Sequence, residues 1–192
     1  MDVQQRPRQQ RRQQGRASQA QGAALERYLR DSSASAKIRL RQIPTPTQIL
    51  RVAPPKAGQH PDPRLVIARL EPPVAVDLAG HLPGGRALYL EAKTTTLDAS
   101  PRRWTLPDRL RLPDEKHPER GHQGVMLEEG ARDGAACGVF LRVVGVGARD
   151  YLVPVGLSGC ALPLSAPAWS WEELAPCAVP GHGRWWEVWT QE

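Results

Sequence analysis

Asparagine is absent from the 192 residues, and lysine is scarce: Lys37, Lys56, Lys93 and Lys116 stand against twenty-two arginines. Few thermolabile amides together with 19 prolines suit a thermophilic source. A GC-rich genome would bias the composition the same way. Cysteine occurs three times, at Cys137, Cys160 and Cys177, with no CxxC spacing. That argues against a disulfide framework or a zinc module and suggests reduced thiols. No stretch approaches the ~18–20 unbroken apolar residues of a membrane span. The first twenty residues lack the apolar segment of a secretory signal. The expectation is a cytoplasmic protein with no membrane partner.

What is present is positive charge. The net charge is +6 and the sequence pI about 9.7. A polyanionic partner fits that balance, nucleic acid first among them. The charge is unevenly placed. Residues 1–20 hold Arg6, Arg8, Arg11, Arg12 and Arg16, one acid, seven glutamines and almost nothing apolar, so they carry +4 of the +6. Such a segment has too little apolar surface to order itself and is expected to be a disordered basic arm. On phosphates it would add counterion-release affinity. The remainder, residues 21–192, is long enough for one domain.

Within that domain the spacing of Ala24, Leu25, Tyr28 and Leu29 predicts a short helix over 21–30, with Glu26 beside the apolar stripe. Pro44 and Pro46 exclude helix, and Gln48–Val52 alternates as a strand. Residues 53–73, rich in proline, form an excursion from the core. Val74–Leu78 and Arg86–Thr95 read as two strands of a hairpin around the turn AGHLPGG. A helix is expected from Gly121 or His122 to about Arg132, closed by Gly134. CGVFLRVVGV (137–146) reads as a buried strand, and DYLVPV (150–155) as an edge strand because Pro154 cannot donate to a ladder. The C-terminal tryptophans are read as core or dimer packing. The order implies an α/β or α+β sheet flanked by helices.

Side chains alternate faces along a strand, so Glu91 and Lys93 share one face of the 86–95 strand. Asp77, fourteen residues before Glu91, can meet it across the hairpin. Two carboxylates and the intervening carbonyl are hard ligands suited to Mg²⁺, with Mn²⁺ able to substitute. An ammonium beside them can hold water or a scissile phosphate. The spacing alone recurs by chance, and a Glu-Lys pair on a strand is ordinarily a solvated face. His122 reads as a helix-start residue.

The surrounding segments narrow this. IPTPTQILRV (43–52), VDLAG (76–80), LYLEAKTT (88–95), HQ (122–123), GVFLRVV and YLVPV, in that order, resemble the RecU-type Holliday junction resolvases. These belong to the PD-(D/E)xK nuclease superfamily, and the match looks especially like short phage or thermophile members. The resemblance implies a restriction-endonuclease-like mixed sheet flanked by helices, with a projecting stalk at 53–73. It implies a metal-dependent endonuclease that cuts four-way DNA junctions as a homodimer. Asp77 and Glu91 match the metal-binding carboxylates and Lys93 the motif lysine. Gln123 matches a glutamine facing the site, and Glu26 an acid of the first helix. The basic start matches a region that helps junction binding. Ala75 and Val76 stand where the family commonly has hydroxylated residues. The rivals are another nuclease of the same fold, nicking or repairing DNA, and a catalytically silent junction-binding protein.

Overall fold

A computed structural model of the chain describes residues 5–43, 47–52, 66–70, 76–96, 103–118, 120–145, 149–156, 162–180 and 183–189. Of residues 5–14, 47–52 and 66–70 the backbone alone is described. The centre is a five-stranded sheet of order β1-β4-β5-β7-β8. Its strands are β1 (Arg39–Gln42), β4 (Leu78–His81), β5 (Ala87–Thr96), β7 (Ala136–Val144) and β8 (Arg149–Val155). Only β5 and β7 run parallel; the other neighbours are antiparallel, so the sheet is mixed. β8 is an edge strand, where Pro154 is tolerated.

Strand alternation places a core on each face. Leu88 and Leu90 of β5, Leu78 of β4 and Phe140 of β7 pack under α1 (Gln5–Ala34), against Leu25 and Leu29. Val139, Leu141 and Val143 of β7 face the other way, toward Leu127 of α2 (His122–Arg132). Gly134 closes α2 with φ 91°, the left-handed position that a β-carbon disfavours. On that second face, β6 (Arg103–Thr105) pairs with β9 (Ala168–Ser170), stacking Trp104 on Trp169 before the short α3 (Trp171–Leu174). A 3₁₀ turn, Trp185–Trp189, seals the α1 face. The Trp185 ring meets Phe140 edge-on, and its Nε1 donates to Ser32 Oγ at 3.0 Å. Five of the six tryptophans are buried and Trp171 is partly so, so they are core residues.

The structure departs from the sequence expectations in three places. Residues 5–20, expected to be disordered, continue α1 into one 30-residue helix about 45 Å long. Glutamine, arginine and alanine are good helix formers, and Pro7 lies in the first turn, where it is tolerated. The docked turns around Leu25 and Leu29 supply the costly nucleus from which this stretch propagates. Residues 15–21 are nevertheless exposed on every side. Second, the strand expected at 74–78 begins at Leu78 and runs through His81, with Val74 and Ala75 outside the described residues. Third, Cys177 is joined in a disulfide, while Cys137 is a free, buried thiol. Spacing along the chain carries no signal for a pairing made by tertiary proximity. The strand expected at Gln48–Val52 is present: β2 (Thr47–Val52) pairs with β3 (Val66–Leu70) in a two-stranded sheet separate from the central one. The rest of the 53–73 excursion lies outside the described residues.

Candidate active site

The β4–β5 register builds the site. Leu78 pairs with Leu90, so Asp77, one residue before β4, comes opposite Glu91. The two residues then bond crosswise. The Asp77 amide donates to Glu91 Oε2 at 3.2 Å, and the Ala92 amide donates to Asp77 Oδ2 at 3.0 Å. Ile43, beyond β1, donates its amide to the Asp77 carbonyl at 3.0 Å. Backbone of three neighbouring segments thus holds the two carboxylates.

Lys93, two residues along β5, returns over Glu91. Its Nζ is in contact with Glu91 Oε1 and lies 3.7 Å from Asp77 Oδ2. One ammonium therefore bridges both carboxylates. Exposure is graded: the side chain is 29% exposed for Asp77, 11% for Lys93 and 0% for Glu91. Burial pushes the Glu91 carboxyl up to about 7, against the opposing pull of Lys93. Glu26, on α1, is raised too, by desolvation first and then by the Asp77 charge, with Arg30 and Lys93 pulling back. It therefore stands within electrostatic reach of Asp77 and Lys93, without a direct bond to either.

The orientation of α1 follows from contacts at its far side. Arg142 of β7 makes two hydrogen bonds with Asp150, of 2.8 and 2.7 Å, and its guanidinium lies 4.2 Å over the Tyr28 ring. This fixes the turn that carries Glu26.

Gln123 is buried in the first turn of α2, its amide donating to the Arg109 carbonyl at 3.0 Å. Next to it, His122 Nε2 is buried with no hydrogen-bond partner among the described residues. Desolvation lowers the His122 pKa, and the charges of Arg109 and Lys93 lower it further. Both effects disfavour the protonated imidazole, and the Lys93 charge is felt at His122. Its only signal in the sequence is adjacency to Gln123. Of the DNA-binding arginines expected in the arm, Arg16 is exposed on α1; the side chains of Arg6, Arg8, Arg11 and Arg12 lie outside the description.

Among the described residues no group of three or more His, Cys, Asp or Glu side chains is arranged to hold a metal ion. Mg²⁺ does not require such a cage: it usually keeps several waters and takes one or two carboxylates. Asp77 and Glu91 supply that donor set, with a cationic group already between them. The residues present fit a hydrated Mg²⁺ entering from the Asp77 side.

The chain matches no known protein-family model, and no curated protein sequence matches it significantly. No helix among the described residues is long and apolar enough to cross a membrane.

Proposed function

We propose that this chain is a Mg²⁺-dependent endodeoxyribonuclease with a restriction-endonuclease-like core, resolving four-way DNA junctions as a homodimer. The observation that carries the reading is the Asp77–Glu91 pair bridged by Lys93 across β4 and β5. Two carboxylates and one ammonium, gathered where the start of β4 meets the middle of β5, are suited to phosphodiester hydrolysis, and a solvated surface pair would not bury Glu91. The segment order resembling RecU-type resolvases supports the four-way junction as substrate. The basic net charge supports a nucleic-acid partner.

Asp77 and Glu91 would hold the ion, Asp77 from its more exposed side. A Mg²⁺ held by these two carboxylates would lower the pKa of the attacking water and offset charge developing on the phosphate oxygens. Lys93, released from its bridge, turns its ammonium to the water and to a non-bridging phosphate oxygen. Glu26, within electrostatic reach of Asp77 and Lys93, would assist by accepting a hydrogen bond from the same water. Water oxygen attacks phosphorus in line and the bond to the 3′ oxygen breaks, leaving 5′-phosphate and 3′-hydroxyl ends. A four-way junction has two-fold symmetry and needs two opposed cuts, which a two-fold dimer with one site per subunit provides.

The test is metal-dependent cleavage of a synthetic mobile four-way junction beside linear duplex, nicked and flap DNA. Cleavage of the junction as paired cuts, lost in Asp77→Asn, is the expected result. Preference for nicked or flap DNA would make the chain another nuclease. Binding without any cleavage in Mg²⁺ or Mn²⁺ would leave a junction-binding protein.

A further inference from the structure

The edge strand β1 carries two arginines to the catalytic face. Arg41 pairs with Ala79, which pairs with Tyr89; Arg39 pairs with His81, which pairs with Ala87. Residues directly opposite share a face of the sheet. Arg39 and Arg41 therefore stand on the face of Tyr89, Glu91 and Lys93, while Leu40 between them packs into the α1 core. Both arginines are exposed, and neither makes a side-chain ion pair or hydrogen bond among the described residues. β1 lies hard against β4: a β-carbon on Gly80 would come 1.9 Å from the Arg39 carbonyl oxygen. Strands are spaced about 4.8 Å apart and rise about 3.4 Å per residue, so this register puts Arg41 roughly 12 Å and Arg39 roughly 17 Å from Glu91 along the sheet. That is about three to five base-pair rises of duplex DNA.

Lys37, at the turn entering β1, adds an independent sign. Its φ is 61°, and it is the one non-glycine residue with positive φ among the described residues. The Ile38 amide donates to the Ser33 carbonyl and the Lys37 amide to the Ala34 carbonyl, both at 3.1 Å. This is the helix ending whose left-handed residue is usually glycine. A lysine there is strained by its β-carbon, and its exposed side chain has no partner among the described residues that would offset the strain.

We propose that Lys37, Arg39 and Arg41 form the surface on which the phosphate backbone of duplex DNA lies beside the cleaved bond. The inference rests on the nuclease reading and assigns DNA contacts to the folded core, distinct from the arm. Charged side chains on an edge strand also discourage edge-to-edge pairing. That role needs neither one particular face nor a strained lysine, and it has a different readout.

The experiment compares Arg39→Ala/Arg41→Ala with Arg132→Ala/Arg149→Ala, which removes equal charge from the end of α2 and from the opposite sheet edge. Affinity for a four-way junction and for linear duplex is titrated against salt in Ca²⁺. Cleavage is measured in single turnover at saturating protein in Mg²⁺. Loss of two phosphate contacts lowers the slope of log affinity against log salt by about two. The expected result is that fall for the β1 variant alone. Lys37→Gly should lower the slope by about one while its Tm holds or rises. Equal slope changes in both double variants, or none in the β1 variant, would overturn the surface. So would aggregation of the β1 variant with an unchanged slope. A wild-type protein that binds and cleaves normally beside such a result loses only this inference; one that neither binds nor cleaves DNA overturns the nuclease reading as well.

Discussion

Glu91 has no solvent exposure, and burial lifts its carboxyl from 4.5 to about 7. A folded pKa above the unfolded one means that the group's contribution to stability is complete below pH 4.5 and is lost as pH rises through 7. A shift of that size, at about 1.4 kcal/mol per unit, corresponds to about 3 kcal/mol. Glu91→Gln keeps the position neutral at every pH. In EDTA at pH 8 it should therefore unfold at higher urea than wild type, and the gap should close near pH 5. The same variant should lose Mg²⁺-dependent cleavage and retain junction binding, since a charged ligand is removed while phosphate repulsion falls. Cleavage near the wild-type rate would take Glu91 out of the metal site. For wild type, Mg²⁺ should raise Tm more at pH 8 than at pH 5, because the ion binds the ionised carboxylate. Lys93 makes a sharper demand on shape. Its ammonium fits between two carboxylates, and the planar, wider guanidinium of Lys93→Arg would displace them. A shift of about 1 Å in a near-attack arrangement can cost ~100-fold in rate. Single-turnover cleavage should fall by about that factor with junction affinity in Ca²⁺ preserved; a rate within a few-fold of wild type would reduce Lys93 to general electrostatics.

Among the elements, β1 has a seat that rests on a glycine of its neighbour. Its backbone approaches Gly80 so closely that any β-carbon there meets backbone, which cannot swing aside as a side chain can. Gly80→Ala should push β1 off β4 and weaken the Ile43–Asp77 bond beyond it. Overpacking of this kind costs about 1–3 kcal/mol. The expected result is a lower urea midpoint together with faster amide exchange at Arg39–Gln42 relative to β7. Normal protection across β1 would show that the two strands can part without consequence. α2, by contrast, ends where its own residues dictate: Gly134 terminates it, and Leu127 directs its inner face to β7.

At the scale of the whole molecule, charge and core are separated. The first twenty residues carry most of the net charge, and residues 15–21 of α1 are exposed. Deleting residues 1–18 should leave the urea midpoint unchanged, since Leu25 and Leu29 and their contacts remain. It should lower the salt slope of junction affinity by up to about four, one for each of several lost phosphate contacts. An unchanged slope would show that the arm does not touch DNA, and a lowered midpoint would show that the projecting turns support the core.

Local rules made the inner strands and the second helix legible without any structure. Alternation at period two separated Leu88 and Leu90 from Tyr89, Glu91 and Lys93, and β-branched residues marked β7 as buried. Pro154 marked β8 as an edge, and Gly134 marked the end of α2. The meeting of Asp77 with Glu91 was also legible, because a hairpin makes neighbours of residues close in sequence. What depended on distant parts of the chain was decided by the tertiary structure. The arm is helical because docked turns at Leu25 and Leu29 nucleate it, which its own polar sequence cannot do. Glu91 is raised to about 7 because both sheet faces are covered around it, and desolvation is a property of the surroundings. Arg39 and Arg41 share the face of the carboxylates only through the pairing of β1 with β4, a register set across some forty residues of chain.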